Sequence, residues 1–142
     1  GLFRPFETSG VWLPPPGGLL DFGPIEAEIE RLCKVFSVVE VAYDPYQLHD
    51  MAMRFRREGL AHFREFPQGV DRLKADKQLQ DLIMARRITH DGNPLLRQHV
   101  DNANIKKAGN DGVRLVKRTP ALKIDSCVAT SMAASRILHY NI

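Results

Sequence analysis

The run Val38-Val39-Glu40-Val41-Ala42-Tyr43, cut off by Asp44-Pro45, constrains the fold more than any other stretch of this chain. β-branched and aromatic residues favour a strand, and Pro45 can neither extend it nor donate to a ladder. A helical segment precedes the run. Pro24 suits a first turn, and Ile25, Ile29, Leu32 and Phe36 recur at helical spacing, with Glu26, Glu28 and Glu30 mostly on the other face. A second helix, Tyr46 to Glu58, follows and stops at Gly59. A strand held between two helices predicts an α/β unit with a buried strand.

The same reasoning orders the rest. Ala61 to Phe66 reads as a strand, about Val70 to Ala85 as a helix, and Arg87–Thr89 as a short strand before the Asp91-Gly92-Asn93-Pro94 turn. Pro94 opens a helix to about Asn102. Ile105–Ala108 and Val113–Lys117 flank Gly109-Asn110-Asp111-Gly112, a hairpin signal. After Asp125 comes a last helix, with Val128, Met132, Ile137 and Leu138 on its apolar face. Its small residues Ala129, Ser131, Ala133, Ala134 and Ser135 would let it approach a sheet closely. Ahead of all this, Pro14-Pro15-Pro16-Gly17-Gly18 excludes a helix or central strand. Residues 1–22 therefore read as an extended arm or edge strand and a loop, and 23–142 as the α/β core of one domain.

Bulk properties narrow the function less. The 142 residues can bury a core without staples. No apolar run reaches the roughly 20 residues of a membrane helix, and the amino terminus lacks signal-peptide character. Cys33 and Cys127 stand far apart among apolar neighbours, so two buried thiols in a reducing, cytoplasmic setting are expected. Residues 1–44 carry a net −4, whereas the remaining 98 carry +7. A basic second part attracts a polyanion, though solvated helix faces give a similar count. No phosphate loop or Gly-x-Ser-x-Gly occurs, which argues against ATP hydrolysis by this piece.

Two acids stand out. Asp44 ends a buried strand, where open α/β sheets place ligand sites and where a carboxylate can bind a divalent cation. Asp125, in Lys123-Ile124-Asp125-Ser126-Cys127, opens the last helix. Read from position alone, each is first a helix cap, a role that does not exclude metal binding. His90, Asp91, Gly92 and Asn93, with His99 and Asn102 downstream, are read first as a turn and cap. Arg86, Arg87, Lys106, Lys107, Lys117 and Arg118 could contact phosphates, with a solvated surface as the default.

In order, VVEVAYDPY, FPQG, LIMARRITHDGNPLLRQHVDNA and KIDSCVATSMAA resemble the carboxy-terminal part of tailed-phage large terminases, from about Gly17 to the end. The resemblance implies a nuclease domain of the RNase H-like fold, a mixed sheet flanked by helices. It implies that Asp44 and Asp125 hold two divalent ions, magnesium or manganese, and are the catalytic acids. Two metals roughly 3.5–4 Å apart activate a water and stabilise the leaving oxygen of a phosphodiester. The family's opening strand, with its further metal-binding Asp, has no counterpart here, since neither Glu7 nor Asp21 sits in a central-strand context. A truncated nuclease domain is expected, lacking the first strand and the ATPase motor. Its implied role is to cut concatemeric double-stranded DNA in the host cytoplasm, with an ATPase domain, a small terminase subunit and a portal as partners and no membrane. The rival readings are a non-catalytic module that docks on DNA or the portal, and another RNase H-like enzyme of the integrase or resolvase type.

Overall fold

The computed structural model describes residues 22–109 and 112–141. The expectation of an extended arm therefore lies outside the described residues. Among these residues five helices and four strands follow in the order α1 (Gly23–Val35), β1 (Glu40–Tyr43), α2 (Pro45–Arg57), β2 (His62–Glu65), α3 (Val70–Met84), α4 (Pro94–Asp101), β3 (Ala103–Ala108), β4 (Gly112–Lys117) and α5 (Asp125–Tyr140). This is the expected α/β class. Among the described residues the strands form two separate two-stranded sheets, β1–β2 and β3–β4.

The described residues fall into two compact units, one of residues 22–41 and Gln47–Arg64, the other of Ala42–Tyr46 and the described residues from Glu65 on. In the first, Phe55 and Phe63 are buried with ring centroids 5.7 Å apart, and Met51 and Ala52 complete the core. The Arg54 guanidinium lies over the Phe55 ring at 5.1 Å and pairs with Glu26 of α1. The α2 end is closed by Gly59 at φ +71°, with the Leu60 amide donating to Phe55 O and the Gly59 amide to Arg56 O. This is the double bond of a Schellman cap. Helix α1 buries no residue fully, and Phe36, expected on its apolar face, lies past its end and is largely exposed.

The second unit packs around α3 and α5. Leu79, Ala103, Ile124, Cys127 and Ala134 form one apolar cluster, and Phe66, Ala75 and Met132 another. The small face of α5 was expected to meet a sheet. It meets α3 instead, because Ser131 and Ala75, both fully buried, let the two helices approach. Ile137 and Leu138, expected in the apolar face, are substantially exposed.

β3 and β4 pair antiparallel with Ala103 opposite Lys117 and Ala108 opposite Gly112. A Cβ on Gly112 would stand 2.4 Å from Ala108 O, so the hairpin admits only glycine there. The expected strand at Arg87–Thr89 is absent. Helix α3 ends in a second Schellman cap, with the Arg86 amide donating to Ile83 O and the Arg87 amide to Leu82 O. The three residues after it run without a ladder partner, and Ile88 packs on the core.

Candidate functional site

Within the second unit, the end of β1 and the first turns of α5 converge on the same apolar cluster. Ala42 and Val128 both pack against Phe66, Ala75 and Met132. Ala42 lies two residues before Asp44, and Val128 one helical turn after Asp125. The Phe66 amide donates to Tyr43 O at 2.8 Å, fixing the backbone immediately before Asp44.

Asp44 is exposed, and its Oδ1 accepts from the Tyr46 amide at 3.1 Å. This is the capping role open to an Asp before Pro at a helix start. Oδ2 remains without a partner among the described residues. Asp125 differs. It is the first residue of α5, exposed, and caps nothing, for α5 has no side-chain cap from its own start at Ile124. A carboxylate in a first helical turn is favoured by the macrodipole, yet here its oxygens make no hydrogen bond or ion pair among the described residues.

The missing cap comes from another helix. The Ser126 amide donates to Nδ1 of His99, on α4, at 2.9 Å. Nδ1 must therefore be unprotonated, which places the ring proton on Nε2. His99 is 3% exposed, and Nε2 has no partner among the described residues. Burial pulls its pKa below the usual 6.5, with the Asp125 charge opposing more weakly. Asn102, at the end of α4, donates from Nδ2 to Lys123 O at 2.9 Å. α4 itself is well started: Asn93 Oδ1 accepts from the Leu95 and Leu96 amides. The Gly92 amide donates to His90 Nδ1 and the Asn93 amide to Asp91 Oδ1, so the His-Asp-Gly-Asn-Pro segment is the turn and cap expected of it.

Deeper in the unit, sequence reasoning missed a buried polar hub. Asp76 Oδ1 accepts from Arg72 Nε at 2.7 Å and Ser131 Oγ at 2.6 Å, and Oδ2 accepts from the Leu115 amide at 2.8 Å. One carboxylate thereby joins α3, α5 and β4. The Arg118 amide bonds to Asn102 O, so in the alternating ladder the Ile105–Leu115 pair is a non-hydrogen-bonded one. The Leu115 amide thus points away from β3, and Asp76 covers an otherwise open edge. Helical spacing of Arg72 and Asp76 at i and i+4 could have suggested a pair, but an exposed one.

The basic candidates do not gather into one patch. Arg86 and Arg87 are exposed at the α3 end, Arg86 in a left-handed conformation at φ +53°. Lys106 and Lys107 are adjacent on β3 and so face opposite sides of the hairpin. Lys117 is exposed, and Arg118 is partly committed through Nε to Ala103 O at 3.0 Å.

Both acids are exposed oxygen donors, and hard cations such as magnesium and manganese take oxygen ligands, so each carboxylate suits such an ion chemically. No three His, Cys, Asp or Glu side chains group as a metal site among the described residues. Two carboxylates alone are an incomplete ligand set.

The described residues thus form an α/β fold in which the end of β1, through Ala42, and the start of α5, through Val128, reach one apolar cluster. Residues 15–140 match the family model described as the terminase large subunit, endonuclease domain, and the chain belongs to that family. It is 29% identical over 140 residues to Protein YmfN of Escherichia coli (strain K12), covering 97% of this chain and 31% of that protein. It is 37% identical over 59 residues to Gene 13 protein of Mycobacterium phage L5, covering 40% of this chain and 10% of that protein. The fold is that of the crystal structure of the HK97 bacteriophage large terminase, with TM-score 0.78 and 24% identity over 94% of this chain and 28% of that one. The chain thus spans less than a third of the length of these relatives.

Proposed function

We propose that this chain is the metal-dependent endonuclease part of a phage DNA-packaging terminase, cutting concatemeric double-stranded DNA in the host cytoplasm. Asp44 and Asp125 are the acids that hold divalent metal, two ions of magnesium or manganese, together with at least one ligand from outside this pair. The convergence of Ala42 and Val128 on one cluster carries the reading, because it draws the β1 end and the α5 start to a common place. The free oxygens of Asp125 support it further, since helix capping does not occupy them.

When bound, the metal ions supply Lewis acidity toward the phosphodiester. The chain's own residues do the rest. The β1 backbone, tied at Tyr43 to Phe66, sets where Asp44 stands. Arg86, Arg87, Lys106, Lys107, Lys117 and Arg118 steady the phosphate backbone without reading sequence. Spread over the α3 end and both faces of the hairpin, they suit contact along a duplex better than capture of one phosphate. An ATPase domain, a small terminase subunit and a portal are the partners of the whole assembly.

The test is Asp125→Ala in the full-length protein, assayed for DNA cleavage with manganese or magnesium. Loss of even an outer-shell partner costs roughly 10–100-fold at metal sites, so a ligand should cost at least roughly a hundredfold. Cleavage at the wild-type rate would end the assignment. A second reading rests on the bond from the Tyr46 amide to Asp44. If the acids are caps in a module that docks on DNA or portal, Asp44→Ala lowers stability by about 1 kcal/mol and leaves cleavage intact.

A further inference from the structure

We infer that α4 is a positioning clamp for Asp125, with His99 and Asn102 as its two jaws. The inference rests on the reading of Asp125 as a metal ligand. The Asp125 carboxylate bonds to no group among the described residues, yet the backbone on both sides of it is held by one short helix. Asn102 Nδ2 takes the Lys123 carbonyl and His99 Nδ1 takes the Ser126 amide, each at 2.9 Å. These two groups bracket Asp125 in the chain. Because α5 lacks a cap of its own, the Ser126 amide would otherwise be an orphan donor of the first turn. A self-supplied cap, such as an Asp or Ser at position 124, would serve stability as well. Its place is taken by buried Ile124, and the capping acceptor comes from elsewhere in the fold.

The clamp is itself anchored. Asn93 caps the start of α4, and the Asn102 carbonyl accepts from the Arg118 amide at the base of the hairpin. Asp125 is thus fixed against the hairpin root through two backbone bonds rather than through its own carboxylate, whose oxygens stay available. A ligand must be held to within fractions of an ångström to act, and outer groups that lock its geometry influence metal affinity strongly. His99 and Asn102 touch neither DNA nor metal in this scheme. They act through the Asp125 backbone.

The experiment measures manganese binding to the full-length protein without nucleotide, by the fall in the free-ion electron paramagnetic resonance signal. Far-ultraviolet circular dichroism and melting are recorded on each variant. Asp125→Ala should remove the manganese site. His99→Phe keeps the ring volume but loses the acceptor, and Asn102→Ala removes the other jaw. Each should raise the manganese Kd by roughly tenfold or more. His99→Asn offers Oδ1 close to where Nδ1 stood and should bring Kd back to within about threefold of wild type. Wild-type affinity in folded His99→Phe or Asn102→Ala, with binding lost in Asp125→Ala, overturns the clamp and leaves the metal reading standing. Equal weakening in His99→Phe and His99→Asn also overturns it, since the acceptor would not be the cause. Wild-type binding in Asp125→Ala overturns both. Should His99→Phe fail to fold, Asn102→Ala decides, because its bond lies at an exposed position.

Discussion

Removing the Asp76 carboxylate should be among the most damaging single changes available to the second unit. Asp76→Ala leaves three donors behind: the Arg72 guanidinium, the Ser131 hydroxyl and the Leu115 amide. Arg72 is only 4% exposed, so it becomes a nearly buried charge lacking its carboxylate, though Nη1 keeps its bond to Gln68 Oε1. Breaking one side of a buried pair costs about 3–5 kcal/mol. An unsatisfied buried amide adds about 1–3 kcal/mol, while the hydroxyl can rotate to another acceptor. These terms overlap, and a net loss of about 4 kcal/mol is expected. For a chain of this size that lowers Tm by on the order of 10 °C. The assay is urea unfolding followed by circular dichroism, run as a cycle with Arg72→Met. Arg72→Met alone removes the charge and should cost less than Asp76→Ala. In the double variant the Arg72 penalty vanishes, so the coupling energy should be about 2 kcal/mol or more. A loss below about 1 kcal/mol for Asp76→Ala, or additivity within about 0.5 kcal/mol, would refute the reasoning.

Three further outcomes follow from described geometry. Arg86 occupies the left-handed C′ position that glycine prefers, so Arg86→Gly should stabilise by about 1 kcal/mol in urea unfolding. If Arg86 also contacts phosphate, the same variant should bind DNA more weakly, and stability and DNA affinity will move in opposite directions. Burial pushes the Cys127 thiol above its ordinary pKa, with Asp76 adding to the shift and Arg72 opposing it. Under native conditions a disulfide reagent should therefore modify the half-exposed Cys33 well before Cys127, and simultaneous reaction would contradict the packing. Finally, His99 has a depressed pKa in the folded state, so the unfolded chain binds its proton more readily. The stabilisation is complete above the unfolded value of 6.5 and is lost as pH falls through it toward the folded one. His99→Asn should flatten the stability profile between about pH 7 and 5. An unchanged slope would show that His99 is not the titrating group.

Local chemistry wrote most of the elements legibly. Pro24, Pro45 and Pro94 each start a helix, Gly59 ends one, and the Gly109–Gly112 spacing makes the hairpin. What failed to show was decided by tertiary packing. Arg87–Thr89 has strand-forming residues, but the Schellman cap before it and the lack of a partner strand among the described residues leave it unpaired. Ile137 and Leu138 fit an apolar helical stripe, yet α3 meets α5 on its small face instead. Asp76 and Arg72 looked like any charged pair on a helix. Only the arrival of β4 and Ser131 makes them interior. At the site, position alone marked Asp44 as a strand-end acid and Asp125 as a helix-start acid, while the ligand role proposed for them came from the family resemblance. The control of Asp125 by α4 was not legible, because a histidine capping a helix in another segment leaves no spacing to read.

The Leu115 amide offers a clock for the whole second unit. It turns away from its hairpin partner and ends on a carboxylate anchored to two helices, so fraying of β3 from β4 does not expose it. Its hydrogen exchange should proceed only when α3, α5 and β4 part together, and its protection should equal the global unfolding free energy. Amides within the β3–β4 ladder can exchange through the smaller opening. The difference in rate between them measures how far the basic hairpin can move while the frame that holds Asp125 stays closed.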